Sequence, residues 1–421
     1  MPVTGALPAA VAAWALLVAA GNRLGSALHA SDPLVHVGAA PLVGSFDVRL
    51  SPRVLPALVL AGAAIAWAPV VAQRLRWRPL LGASWAAGVA WAVALAASDG
   101  WKALAAPLRS PYEQLEAVGR VGSPGRFLQT FIDALPSYAT HVQGHPPGGV
   151  LVLWALDRAG LGGAGAATAL AIGCGAAAAP AALVAVRALA GEAQARAAAP
   201  FVAFTPAAVW LATSLDALYA GVGAAAIMLF ALACTAPARA RALALAAGLV
   251  LGAALMLSYG AATLGAVLLA VAAGRRRPGV LAWAGAGVTL VLSAFAAVRF
   301  NWIDGLHATR DQYLAGVSHR RPYADFLAIS AAAFALATGP AVAAGIARLR
   351  ATGTWLLVGG TLVALVAADL SGMSKGETER IWLPFAPWLL VATAALRSSR
   401  GWLAAQLALA LALQLGVRSP W

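Results

Sequence analysis

Charge is scarce in this chain: only 10% of its 421 residues are Asp, Glu, Lys or Arg. Soluble proteins carry about 25%, so an ordinary soluble globular domain is excluded. Cysteine is rarer still. Cys174 and Cys234 are the only two, both inside apolar runs, which excludes a disulfide framework and leaves them as small hydrophobes. The sequence also lacks a Walker-type nucleotide loop, a dinucleotide-binding glycine fingerprint and any clear internal repeat. The alternating ten-residue segments of a membrane β-barrel are absent as well.

What is there is apolar sequence from end to end, 62% hydrophobic with a mean hydropathy of +0.81. Runs near twenty residues, enough to cross a hydrocarbon core, fall at 6–28, 54–72, 80–98, 166–189, 198–213, 217–234, 242–257, 260–274, 279–298, 325–346, 355–370, 381–396 and 402–417. The expected fold is all-α: a polytopic transmembrane helical bundle of about thirteen spans, one integral membrane domain over residues 1–421. The first run lacks a basic leading segment and reads as a retained membrane helix. Abundant alanine and 43 glycines let such helices approach closely.

Net charge is +14, from 29 Lys and Arg against 15 Asp and Glu. Most of the bases sit in short clusters between apolar runs: Arg74/Arg76/Arg78, Arg239/Arg241, Arg275–Arg277, Arg348/Arg350 and Arg397/Arg400. That is the marking of cytoplasmic loops, so topology explains the charge and no nucleic-acid partner is expected. With Arg74 to Arg78 inside, residues 29–53 and 99–147 face outside. A full crossing by 148–157 would put Arg187, Arg196, Arg239 and Arg241 on the wrong side. A short dipping half-helix, introduced by His145-Pro146-Pro147, keeps them inside. The same parity places Ser214-Leu215-Asp216, the 301–324 loop and the 371–380 loop on the outer face.

Polar chemistry therefore gathers on one side. The 99–147 loop, expected to carry short juxtamembrane helices, is the longest polar stretch and offers Asp99, Glu113, Glu116 and Asp133 together with His141 and His145. A positioned carboxylate serves as a general base; Glu113 and Asp99 are the candidates. Solvated acids on an interfacial helix are the plainer reading of Glu113 and Glu116, and a helix-ending residue that of Asp99. His141 and His145 have the spacing of a helical metal pair, but no third ligand follows, so no metal site is assigned. His145 fits better as a hydrogen-bond donor to a phosphate or sugar. In 371–380, Lys375 and Arg380 suit a phosphate, Lys as a point charge and Arg through paired hydrogen bonds, with Glu377 between them. An ordinary charged loop with internal ion pairs is the alternative there. In 301–324, aromatic residues lie beside Arg310 and other bases, a mixture suited to sugar faces and lipid phosphate. Asp216 is a further candidate for lining the same cavity. Few ionisable residues fall in mid-span, where transporters keep theirs.

Tyr112-Glu113 followed by Gly144-His145-Pro146-Pro147-Gly148, with Arg380 or Lys375 in a late outer loop, resembles the glycosyltransferase-C superfamily of membrane enzymes. The chain also looks like a group of actinobacterial membrane proteins sharing His-Pro-Pro-Gly and Ser-Lys-Gly-Glu-x-Glu-Arg-Ile-Trp. The pattern departs from the superfamily in three respects: the large loop follows the third span rather than the first, Tyr112-Glu113 replaces a frequent Asp-Glu pair, and no large soluble C-terminal domain is expected after the last span. The resemblance implies a multi-pass protein of the bacterial cytoplasmic membrane that moves a sugar from a polyprenyl-phosphate donor to an envelope glycan or lipid acceptor, with membrane lipids around it. Glu113, with Asp99 as rival, would be the base; Lys375 and Arg380 would stabilise the leaving phosphate. His145, His141, Tyr112, Glu377, Arg310 and Asp216 would contact substrate. No cofactor is demanded, although a divalent cation would help neutralise phosphate charge. The competing expectations are a lipid or polysaccharide transporter and a noncatalytic envelope-assembly protein.

Overall fold

The computed structural model describes residues 6–397 and 399–420. Among them, eight helices are long and apolar enough to cross a membrane: Ala6–Ser31, Pro52–Arg74, Trp77–Ala97, Ala164–Ala190, Asp216–Thr235, Pro237–Leu257, Gly279–Ala297 and Thr352–Leu370. The bent pair Tyr323–Thr338 and Pro340–Arg348 makes a ninth if taken as one span. By length and composition these helices are compatible with a multi-pass membrane protein, and the fold is nearly all helical. The described strands are one two-residue pair, Ser45–Phe46 against Val417–Arg418.

Helices dominate because lipid offers no partner to a backbone N–H or C=O, so each segment must satisfy its own. They pack through small residues, as the composition implies. Ala164–Ala190 and Asp216–Thr235 approach so closely that a Cβ on Gly221 would overlap the Cys174 carbonyl. Lipid tails are as apolar as leucine, so such backbone proximity is the main source of helix attraction.

Five of the thirteen expected spans are not among these eight: the bent 325–346 pair and four others. The 198–213 run ends its helix at Ala203 and continues as a 3-10 turn, Pro206–Trp210, capped by the Thr205 hydroxyl. The 260–274 and 381–396 runs form only short apolar helices, Tyr259–Gly274 and Leu383–Ala395, the second interrupted by Pro384 and Pro387. The 402–417 run is the eighteen-residue helix Ser399–Gly416, which buries Gln406 and Gln414. At the 89° bend between Thr338 and Pro340, the Gln406 amide repairs the broken backbone ladder. Its Nε2 donates to the Thr338 carbonyl at 2.7 Å and its Oε1 accepts from the Ala341 N–H at 3.3 Å. The 148–157 piece is the short helix Gly148–Arg158.

Two ends of the bundle differ in charge. At one, Arg196 donates to the carbonyls of Ala72 and Leu75, Arg187 stacks over Trp77, and both pair with Glu192. Arg74, Arg397 and Arg400 line one cavity at this end. At the other, Arg320 meets Asp32, Arg49 meets Asp99, and the long polar loop joins the start of Asp216–Thr235 and the 371–380 loop.

Candidate functional site

Glu113 begins the site. It precedes the 3-10 helix Gln114–Arg120 and is 98% hidden. The Tyr112 carbonyl accepts from the His141 N–H at 2.9 Å, which docks the one-turn helix Thr140–Gln143 onto it. That contact aims His141 Nδ1 at Glu113 Oε1, 2.6 Å away. The other ring nitrogen, Nε2, lies 2.9 Å from Arg380 Nη2. A guanidinium only donates, so Nε2 accepts and Nδ1 carries the proton toward Glu113.

Arg380 is the hub. It stands on the one-turn helix Thr378–Ile381, buried to 2% exposure. Its Nη1 donates to Asp216 Oδ2 at 2.6 Å, and its Nη2 donates to Glu377 Oε2 at 2.5 Å. Burial alone would lower the Arg380 pKa, but Glu377, Asp216 and Glu113 together raise it. Burial likewise works to raise the Glu377 carboxyl, and Arg380 and Arg321 overcome it and hold it below the usual range. Both groups are fixed in their charged forms.

Asp216 opens the helix Asp216–Thr235, where a negative charge meets the positive end of the helix dipole. Ser214 Oγ donates to its Oδ2 at 2.7 Å. His145 donates from Nδ1 to the His141 carbonyl at 2.7 Å, leaving Nε2 directed at Asp216 Oδ1, 3.8 Å away. The two glycines that follow His145-Pro-Pro have a steric task. A Cβ on Gly148 would overlap the Met256 carbonyl, and one on Gly149 would overlap Gln114. Gln114 in turn donates to the Tyr219 hydroxyl at 2.6 Å, and the Tyr219 ring lies 5.4 Å from that of His145.

The cluster thus unites Glu113, His141, His145, Asp216, Glu377 and Arg380. Its more open edge is formed by His141, His145 and Glu377, with side chains 13%, 15% and 20% exposed. Glu113, Asp216 and Arg380 sit beneath that edge. Other candidates lie elsewhere. Asp99 binds Arg49 Nη1 at 2.6 Å and Gln414 Nε2 at 3.0 Å, fastening the 45–53 segment to the final helix. Lys375 donates from Nζ to the Ser318 and Arg321 carbonyls at 2.5 and 2.8 Å. Burial, aided by the Arg321 charge, lowers its pKa. It clips two loops together beside the cluster. Tyr112 is 62% exposed and contributes its carbonyl. Arg310 is exposed on the helix Trp302–Ala315, with no ion pair to the cluster among the described residues.

Three participants escape a sequence reading. Gln114 and Tyr219 lack charge, although their positions, next to Glu113 and one turn after Asp216, were available signals. Arg321 looks like a loop base but is buried, donating to the Val35 carbonyl from Nε and Nη2 and to that of Lys375. Among the described residues, no group of three His, Cys, Asp or Glu is arranged to hold a metal ion. Compared with known proteins, the chain matches no family model and no curated protein.

Proposed function

We propose that the protein is a membrane glycosyltransferase, passing a sugar from a polyprenyl-phosphate-linked donor to an envelope glycan or lipid acceptor on the extracytoplasmic face. In this reading the chain crosses the bilayer about thirteen times, the shorter and broken helices completing crossings in pieces. The observation that carries the proposal is the Glu113 carboxylate. Its Oε1 is anchored by His141, while its Oε2 accepts no hydrogen bond among the described residues, inside a cluster assembled from the long polar loop, a helix start and a late loop.

Displacement at an anomeric carbon needs a base for the acceptor hydroxyl and positive charge for the departing phosphate. Glu113 Oε2 takes the hydroxyl proton. The acceptor oxygen bonds to the anomeric carbon as the bond from that carbon to the phosphate oxygen breaks, and the polyprenyl phosphate leaves with the electron pair. Arg380 stabilises that phosphate by exchanging Glu377, the most exposed of its partners, for a phosphate oxygen. His145 orients the substrate through Nε2. Asp99, engaged with Arg49 and Gln414, has no part in the reaction.

The test is a deletion strain analysed for envelope glycan linkages. Loss of one sugar linkage, restored by the wild-type gene, is the expected result. An unchanged linkage profile would overturn the assignment in favour of transport or assembly.

A further inference from the structure

At the arginine-rich end, opposite the carboxylate cluster, Pro69, Val70, Gln73 and Arg74 from the end of one helix face Arg397, Ser399 and Arg400 from the start of another across a cavity of about 490 Å³. Three guanidinium groups line it with a hydroxyl and an amide, and no acid is among its described lining residues. Arg74 and Arg397 are exposed and make no ion pair or hydrogen bond among the described residues; Arg400 donates to the Ala66 carbonyl at 3.1 Å. The helix Ser399–Gly416 begins at the cavity, so the positive end of its dipole adds to the same field. At the same end Arg187 and Arg196 pair with Glu192. Here the positive charge is left unanswered around a space large enough for a ligand.

We propose that this cavity binds the phosphate headgroup of an anionic membrane phospholipid. Paired N–H donors of arginine match phosphate oxygens geometrically. The flanking helix supplies the apolar surroundings that acyl chains require: Trp67 and Val71, within a turn of Pro69 and Val70, are 64% and 41% exposed. A soluble anion would gain nothing from that surface.

The experiment uses the full chain in nanodiscs of phosphatidylcholine with a titrated fraction of phosphatidylglycerol, followed by native mass spectrometry of retained lipid. Replacing Arg74, Arg397 and Arg400 by Gln should weaken phosphatidylglycerol retention by roughly fivefold for each arginine removed. The equally charged control, Arg275, Arg276 and Arg277 replaced by Gln, should retain it as the wild type does. Equal loss in the control would mean diffuse surface charge and overturn the site. Displacement of the lipid by millimolar inorganic phosphate would overturn the lipid assignment in favour of a free anion. If the triple variant fails to fold, photocrosslinking of the wild type with a photoactivatable phosphatidylglycerol decides. Adducts on peptides spanning 66–74 and 397–403 support the site, and adducts confined to other peptides refute it.

Discussion

Arg380 and Asp216, 164 positions apart in the chain, meet at 2.6 Å with both side chains almost wholly buried. A buried ion pair contributes little net stability against an apolar replacement, but removing one partner strands a charge and costs about 3–5 kcal/mol. Here one guanidinium serves Asp216, Glu377 and, through His141, Glu113. Arg380→Met should therefore destabilise the protein more than Glu377→Gln, which removes a partly exposed acid. Thermal unfolding in detergent, with membrane abundance as a second readout, checks the order. Equal unfolding temperatures for the two variants would contradict the hub.

Glu379, beside Arg380 in sequence, is fully buried, and no side chain donates to its carboxylate among the described residues. Burial, with the nearby Glu377 charge pushing the same way, raises its pKa from 4.5 to about 7. The folded state then holds a proton that the unfolded chain releases near pH 4.5, so this group favours folding at low pH. Its contribution is lost as pH rises through about 7. The unfolding temperature of the wild type should fall between pH 5 and 8 more steeply than that of Glu379→Gln, by a difference on the order of a few kcal/mol at the alkaline end. Parallel curves would refute it.

Gly376 and Glu377 are consecutive residues with positive φ, +85° and +62°, and they swing the Glu377 carboxylate toward Arg380. A side chain at 376 would meet Arg321 Nη1 at 2.8 Å as well as the left-handed backbone penalty. Gly376→Ala should cost about 1–2 kcal/mol and displace the Glu377 carboxylate from Arg380. Glu377→Gly, with the backbone strain relieved, should be destabilised less than Glu377→Ala. Unfolding temperatures of the three variants give the comparison.

At the 89° bend, Gln406→Leu would keep the side-chain volume and leave the Thr338 carbonyl and Ala341 N–H without their shared partner. The expected loss is about 1–3 kcal/mol, measured as detergent-phase thermal stability. Hydrogen–deuterium exchange should rise locally around 338–341.

The long apolar helices were legible because twenty-residue apolar runs carry their own signal. The broken helices were not. Whether Pro340 or Pro206 ends a span depends on a distant group, such as Gln406, that takes over the freed backbone atoms. Within the site, His141, His145, Glu113, Asp216 and Arg380 stood out as scarce ionisable residues in polar stretches. Their mutual arrangement did not, since it is set by contacts between loops more than one hundred residues apart. Lys375 and Arg380 look alike as phosphate cations, yet one ends on backbone carbonyls and the other on carboxylates. Asp99 and Glu113 look alike in sequence as candidate bases, and their surroundings differ only through tertiary contacts: Asp99 is held by Arg49 and Gln414, Glu113 by His141.

The most direct measurement compares Glu113→Gln with Asp99→Asn in the deletion strain, reading envelope glycan linkages at matched membrane abundance. Gln can still accept the His141 hydrogen bond but cannot take a proton, so the account predicts a fold left intact and transfer reduced by about 10²–10⁴-fold. Asp99→Asn should restore the linkage. Full restoration by Glu113→Gln, or loss with Asp99→Asn at normal abundance, would contradict the assignment of Glu113 as the base.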